Sequence, residues 1–367
     1  MHRNSKPKSL PSGLDIDLGN RCSQIAYGWA KKTFANRPAG SGNPLPGSDG
    51  GFSSVMDFNG VRIGISSDGI GTKIELAERT GIYHTLGFDL VAMVADDLAA
   101  NGIETVNLSN ILDVDHLDAG IVDQLMRGLH DAAQFARITI TGGEIAELGG
   151  RIGGYGEKMH FNWGATGIGM LEQGRDIVDG RAVQAGDAVL ALQSRGFRSN
   201  GFSLLRRILQ KEFGENWHTE SYDATSTWGE ILLTPSLIYT PLIADALKAG
   251  IELRGIAHIT GGGIPDNLSR VLKVNRLGAE LNDIFEPLPV MRKVQEMGAV
   301  SEEQAYRLWN MGNGMLLIVS AQAADAALAF INKNKNYRAR ICGSIIEEPL
   351  IRLQTRGHRP ARLESRY

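Results

Sequence analysis

Glycine sets the strongest limit on how this chain can fold. The 367 residues include 45 glycines, gathered in short clusters between apolar runs and not in a low-complexity tract. Such clusters mark loops at the ends of elements, where backbone can turn sharply or come close to a ligand. The runs between them alternate in character. Val61–Ser67, Thr105–Leu112, Ile138–Thr141 and Ala165–Leu171 read as strands. Leu86–Asn101 and Ile121–Phe135 read as helices, the second with Leu125, Leu129 and Ala132 on one side. After a polar connection, Glu172–Asp187, the alternation resumes. Strands are predicted at Ala188–Gln193, Ile256–Thr260, Met315–Ser320 and Ala339–Ile345. Helices are predicted at Phe202–Leu209, at Pro235–Lys248 with proline in its first turn, after Gly263, and at Ala323–Asn332. The expectation is an α/β (α+β) chain of two domains, residues 13–172 and 173–348, followed by a basic, solvated tail at residues 349–367.

Composition narrows the function. Apolar residues make up 43 %, enough for sizeable cores, and a formal net charge of −3 lacks the basic excess of a nucleic-acid binder. Two cysteines, Cys22 and Cys342, make no disulfide framework and suit a reducing compartment. No apolar run of about 18 residues is present, and the first residues lack a signal peptide's apolar core. A cytoplasmic protein with neither membrane nor nucleic-acid partner is expected.

Five places could carry chemistry. In 66–73 (SSDGIGTK), Gly69 and Gly71 allow close approach, Asp68 could hold a metal ion, and Thr72 and Lys73 could bind phosphate oxygens. The spacing is not that of a P-loop, and a tight turn with surface charge remains open. Asp97 lies within the apolar stripe of Leu90, Met93, Val94 and Leu98, with Asp89 and Asp96 at its edge. A carboxylate there must be paired or bind a metal. Glu144 follows Gly142 and Gly143 at the expected carboxyl end of a strand, where it could face a ligand or simply favour a helix N-terminus. Asp68, Asp97 and Glu144 together would suit Mg²⁺. The loops 196–201 (GFRSNG) and 258–263 (HITGGG) each run from strand to helix, a setting for an anion or for a structural turn.

These segments occur in the order and spacing of the AIR synthetase (phosphoribosylformylglycinamidine cyclo-ligase) family, which the chain resembles from about residue 13 to 348. The resemblance rests on Asp15-Ile16-Asp17 with Gly19-Asn20, Gly50-Gly51-Phe52, Asp68–Lys73, and Gly87–Met93 leading to Asp97. It continues through Gly142–Glu147, Ser199-Asn200-Gly201, Leu233-Thr234-Pro235 with Tyr239, His258–Gly263, and Asn310-Met311-Gly312 with Gly314-Met315. It implies a two-domain fold, a homodimer paired through N-terminal sheets, and ATP- and Mg²⁺-dependent closure of formylglycinamidine ribonucleotide to aminoimidazole ribonucleotide. By the same resemblance Asp68, Asp97, Glu144 and Arg198 would be catalytic, and the first three would hold the metal. Gly50, Gly51, Gly69, Gly71, Thr72, Lys73, Ser199, Asn200 and Gly201 would bind ATP or phosphate. His258, Thr260, Gly261, Gly262, Gly263 and Asn310 would bind the substrate.

The sequence departs from the family at Arg198, where a histidine is usual, and at Ile145, Asn110 and Tyr27 in place of Thr, Asp and Lys. Phe161-Asn162 replaces a Tyr-Asp pair. A related kinase of the thiamine-monophosphate type, a selenophosphate synthetase and a non-catalytic nucleotide binder are the competing readings. Cys22 is misplaced for selenium chemistry, and the retained carboxylates favour an enzyme.

Overall fold

The computed structural model describes residues 16–45 and 51–367. Asp15 and Gly50, singled out above, lie outside them. The chain forms two mixed sheets, each covered by helices. The first holds β1 (Asn43–Pro44), β2 (Ser54–Phe58), β3 (Val61–Gly69), β4 (Glu104–Val114), β5 (Thr139–Glu147) and β6 (Phe161–Met170), in the order β1-β2-β3-β6-β4-β5. Neighbours run antiparallel except β4 and β5, which the helical crossover makes parallel. Helices α1 (Ile16–Lys32), α2 (Ile74–Thr80), α3 (Leu86–Ala99) and α4 (Ala119–Ala136) belong to this half.

Helix α4 packs on α3 at very short range. A methyl on Gly128 would lie 1.8 Å from the His84 carbonyl oxygen, and one on Gly87 would lie 2.2 Å from the Gly128 carbonyl carbon. Only glycine lets the two backbones cross so closely. The predicted short strand Ile138–Thr141 is in fact longer. It continues as β5 to Glu147, because Gly143 can lie against Asn110 of β4, whose carbonyl oxygen would be 2.6 Å from an added Cβ.

The second sheet holds β7 (Ala188–Gln193), β8 (Gly255–His258), β9 (Gly278–Leu281), β10 (Asn313–Val319), β11 (Ala339–Ile346), β12 (Leu350–Gln354) and β13 (Arg362–Arg366), in the order β13-β12-β9-β11-β7-β10-β8. Its helices are α5 (Phe202–Phe213), α6 (Trp228–Leu232), α7 (Thr240–Lys248), α8 (Gly263–Leu272), α9 (Pro289–Met297), α10 (Glu302–Leu308) and α11 (Ala324–Lys333). Every residue of β10 is buried, as a strand paired on both sides and covered on both faces should be.

Two expectations are corrected here. The helix predicted from Pro235 begins only at Thr240, with Pro241 in its first turn. Residues 234–239 instead form no regular element and lead to α3, where a carboxylate receives the first amides of α7. Residues 349–367 are not a solvated tail. Leu350, Ile351 and Leu353 are each 1 % exposed, and β12–β13 close the sheet as a hairpin. The arginines that suggested a tail occupy its outer positions, where Arg352 pairs with Glu364 and Arg362 with Glu280.

The first sheet buries only one face. The other exposes Val61, Val106, Ile111, Ile168 and Met170. Among the described residues no helix is long and apolar enough to cross a membrane. If the C-terminal hairpin is part of the core, Ile351→Ala will lower the unfolding free energy by about 2–4 kcal/mol in urea titration. A loss well under 1 kcal/mol would make the hairpin an accessory.

Candidate active site

Helix α3 organises the site. Of its fourteen residues only Phe88 and Asp97 are not fully buried, although it carries three carboxylates. Its apolar stripe was expected to bury Asp97 and leave Asp89 and Asp96 at the edge. The structure reverses this: Asp89 and Asp96 have no exposed surface, while the Asp97 side chain keeps 18 %. The first sheet covers one side of α3 and the second half of the chain covers another, so no face is left to water.

Buried carboxylates require partners. Asp89 takes the Lys73 ammonium at 2.7 Å and the Ser236 hydroxyl, and Lys73 also donates to the Thr234 carbonyl at 3.0 Å. Burial pulls the Lys73 ammonium down and Asp89 up, and their mutual attraction opposes both shifts. Lys73, expected to meet phosphate, is therefore closed off from solvent and engaged with Asp89. Its neighbour Thr72 remains exposed, with its hydroxyl 3.3 Å from that of Ser203. Asp96 accepts from the Tyr239 and Thr240 amides at 2.8 and 2.9 Å and from the Thr240 hydroxyl at 3.0 Å, so it sits at the N-terminus of α7. A carboxylate there also meets the positive end of the helix dipole. Its second oxygen pairs with Arg198 Nη2 at 2.9 Å.

Arg198 is buried to 1 % exposure, in the left-handed region at φ 61°. Nη1 donates to the Leu237 carbonyl at 3.1 Å, and Nη2 lies 2.7 Å from His258 Nε2. The catalytic role expected of Arg198 is corrected accordingly, since this guanidinium is buried and faces Asp96 and His258. The other imidazole nitrogen, Nδ1, is 2.7 Å from Asp97 Oδ1. Burial, reinforced by Arg198, lowers the His258 pKa to about 3, which keeps the ring neutral. Burial raises Asp97 to about 7, opposed by Arg270, Arg198 and the Ser66 hydroxyl. Asp68 is raised to about 6, again by crowding first, with the Asp97 charge adding to it and the Gly69 amide opposing.

The expected metal trio divides. Strand alternation turns Ser66 and Asp68 of β3 toward α3 and Asp97. Glu144 pairs in register with Ile111, which points to the sheet's open face. Glu144 is thus on the opposite side, three strands from Asp68, because β5 runs on through Gly142 and Gly143 instead of ending before them. No cluster of three His, Cys, Asp or Glu side chains able to hold a metal occurs among the described residues.

Two loops of the second half complete the site. Ser199 Oγ and Asn200 Nδ2 are buried without a protein partner, and Gly201 begins α5 at φ 77°. Gly261 is exposed and lies beside Asn200, while Gly262 and Gly263 adopt φ 92° and 64° at the start of α8. A methyl on Gly263 would lie 1.7 Å from the Tyr306 carbonyl oxygen. Asn267 donates to the carbonyls of Gly261 and Gly263, and its side-chain oxygen lies 3.4 Å from the Thr260 hydroxyl. Asn310, expected to touch substrate, is a brace: it donates to the Gly196 carbonyl and accepts from the Gly312 amide. Gly51 is exposed, and the next residue, Phe52, lies under the Arg270 guanidinium. Sequence reasoning missed Asp96 and Arg270. A carboxylate beside Asp97 was visible, but nothing in the sequence ties it to Arg198.

Residues 50–169 match the N-terminal domain described as AIR synthase related protein, and residues 184–356 match the C-terminal domain of the same description. The chain belongs to the AIR synthase related family. Proteins named phosphoribosylformylglycinamidine cyclo-ligase from Sorangium cellulosum and Pyrococcus furiosus are 35 % and 32 % identical to it, over 91 % and 94 % of this chain and 94 % and 97 % of theirs. The fold recurs at lower identity in thiamine-monophosphate kinase from Stenotrophomonas maltophilia, with TM-score 0.60 and 13 % identity over 87 % of this chain and 93 % of that one. It recurs also in the hydrogenase maturation protein HypE in complex with ATP, with TM-score 0.58 and 17 % identity over 83 % and 85 %. In this member of the family, Lys73→Met will lower stability by about 3–5 kcal/mol, because it strands Asp89. Adding Asp89→Leu will recover most of that loss in thermal or urea unfolding. An unchanged stability with a raised KM for ATP would return Lys73 to phosphate binding.

Proposed function

We propose that this protein closes the imidazole ring of aminoimidazole ribonucleotide, converting formylglycinamidine ribonucleotide and ATP to product, ADP and phosphate. The observation that carries this reading is the match to cyclo-ligases along nearly the whole chain, with Asp68 interacting with Asp97 and Asp97 bonded to His258. In the reaction the formyl oxygen takes the γ-phosphoryl group and ADP leaves. A nitrogen of the substrate then attacks the formyl carbon, phosphate departs with the oxygen, and the nitrogen gives up a proton.

The residues present fit the ligands. Ser199 and Asn200 are buried donors without a protein partner, set beside the exposed backbone of Gly261 and the N-termini of α5 and α8. That grouping suits an anionic ligand. Asp68 and Asp97 offer hard oxygen donors and are the residues that would hold magnesium. Bound there, magnesium would offset negative charge on the nucleotide. The chain's own part is to fix both ligands and to exclude water from the activated formyl group. The polypeptide acts on small molecules in the cytoplasm, with neither nucleic acid nor membrane as partner. A homodimer belongs to the same reading, on different grounds from the sequence argument. Within the chain β3 and β4 are each paired on both sides, so neither offers an edge to a second copy. The support is now the apolar open face of the first sheet, including Ile111, Ile168 and Met170.

ADP release that requires formylglycinamidine ribonucleotide, compared with ATP alone, tests the reaction. Release without that substrate, or none at all, would sink the proposal. Asp97→Asn will remove turnover without loss of fold; near-normal turnover at low magnesium would take Asp97 out of the site. Asp97 and Asp68 titrate near pH 7 and 6, so both hold a proton on the acid side of that range. If these carboxylates hold magnesium, binding would require loss of that proton, and affinity measured by calorimetry will rise as pH increases from about 5.5 to 8, with proton release on binding. Affinity flat across that range would separate these carboxylates from the ion.

A further inference from the structure

We infer that Arg198 is a positioning residue for Asp97, acting through His258: it fixes the imidazole in the tautomer that carries its proton on Nδ1 and so orients the carboxylate in the cleft. This rests on the functional reading above for the reaction it serves, but not for the geometry. Four side chains from both halves stand in line. Arg198 Nη2 lies 2.9 Å from Asp96 Oδ2 and 2.7 Å from His258 Nε2, and His258 Nδ1 lies 2.7 Å from Asp97 Oδ1. Arg198, Asp96 and His258 are each at most 1 % exposed, so no water competes for these contacts.

The chemistry of the donors decides the direction. A guanidinium stays protonated and has only N–H groups to offer. Nη2 also lies 3.5 Å from the Ala92 carbonyl, but Asp96 at 2.9 Å and His258 at 2.7 Å are its two short contacts; toward the ring it can only donate, so Nε2 must present its lone pair. The ring proton then sits on Nδ1, directed at Asp97 Oδ1. One oxygen of Asp97 is thereby occupied as an acceptor and the carboxylate plane is held. The Ser66 hydroxyl also bonds this carboxylate, from β3. Asp96 in turn is pinned by the Tyr239 and Thr240 amides and the Thr240 hydroxyl, so the Arg198 end of the line rests on the start of α7. Arg198 makes no hydrogen bond to Asp97; its charge favours the ionised carboxylate from a distance, and its positioning effect passes through the ring.

The test joins a spectrum to kinetics. Protein labelled with ¹⁵N-histidine, with the His258 signals assigned by their loss in His258→Gln, will show a single Nδ1–H form between pH 6 and 8. A His258 that carries its proton on Nε2, or exchanges between the two forms, overturns the inference. Arg198→Lys keeps a charged donor opposite Asp96 and will retain the tautomer, with kcat within about tenfold of the parent. Arg198→Met removes every donor; it will mix the tautomers and lower kcat about a hundredfold, while KM for both substrates changes less than about threefold. A folded Arg198→Met enzyme with the parent tautomer, or with the parent kcat, overturns the inference. If Arg198→Met does not fold, Arg198→Lys decides: a hundredfold loss with the tautomer unchanged would make Arg198 only a brace of the fold. Failure of the wild-type protein to cyclise formylglycinamidine ribonucleotide would sink the functional reading alone, because the wild-type spectrum is read without turnover.

Discussion

The molecule is built around the need to neutralise charge inside helix α3. Asp89 and Asp96 are taken wholly out of water, which costs several kcal/mol each unless partners are supplied. Lys73 answers Asp89 from the turn after β3. Asp96 is answered by Arg198 and by the first amides of α7, all from the second half of the chain. Those partners can reach it only if the second half lies against α3. The apolar core follows the same path, since one continuous cluster includes Leu90 and Val94 of α3 together with Phe202, Ile259 and Trp309. Charge pairing selects the arrangement among the many that apolar burial alone would allow.

That arrangement also explains why the site lies at the junction. Asp68 and Asp97 come from the first half, and His258, Ser199 and the glycine loop come from the second. None of the loops supports itself. Asn267 holds the triple-glycine turn through its carbonyls, Asn310 holds the loop before Arg198, and Tyr306 and Trp309 lie against Gly263 and Gly201, where any side chain would collide. The apparent motif residues therefore divide into those that face the cleft and those that give the cleft its shape. Asn310, Gly263 and Gly201 belong with the second group.

The sequence carried much of this, and its failures have physical causes. The order of strands and helices was readable because apolar periodicity is local. The glycine clusters marked the right loops because positive φ and close approach demand that residue. Burial on α3 was misjudged because a helical stripe reports one covered face, and here the second half covers another. For the same reason Lys73 and Arg198 read as ligands: a cation in a glycine-rich loop looks available until a carboxylate more than a dozen positions away is seen to hold it. Glu144 was misplaced by a strand end set too early, since two glycines in a row imitate a stop but here permit β5 to lie tight against Asn110. The basic C-terminal stretch hid a hairpin because its arginines alternate with the buried leucines and isoleucine that make it a strand.

The Arg198–Asp96 pair has a consequence for how this chain can change through descent. The two positions are 102 residues apart, yet a neutral side chain at either weakens the fold while the other stays charged. A neutral side chain at 198 would strand a buried carboxylate, and a neutral one at 96 would strand a buried guanidinium. Lineages must therefore cross between charged and uncharged versions of this junction by paired replacement. The two halves carry a private signature, and a first half from one lineage joined to a second half from another will match only if both crossed together.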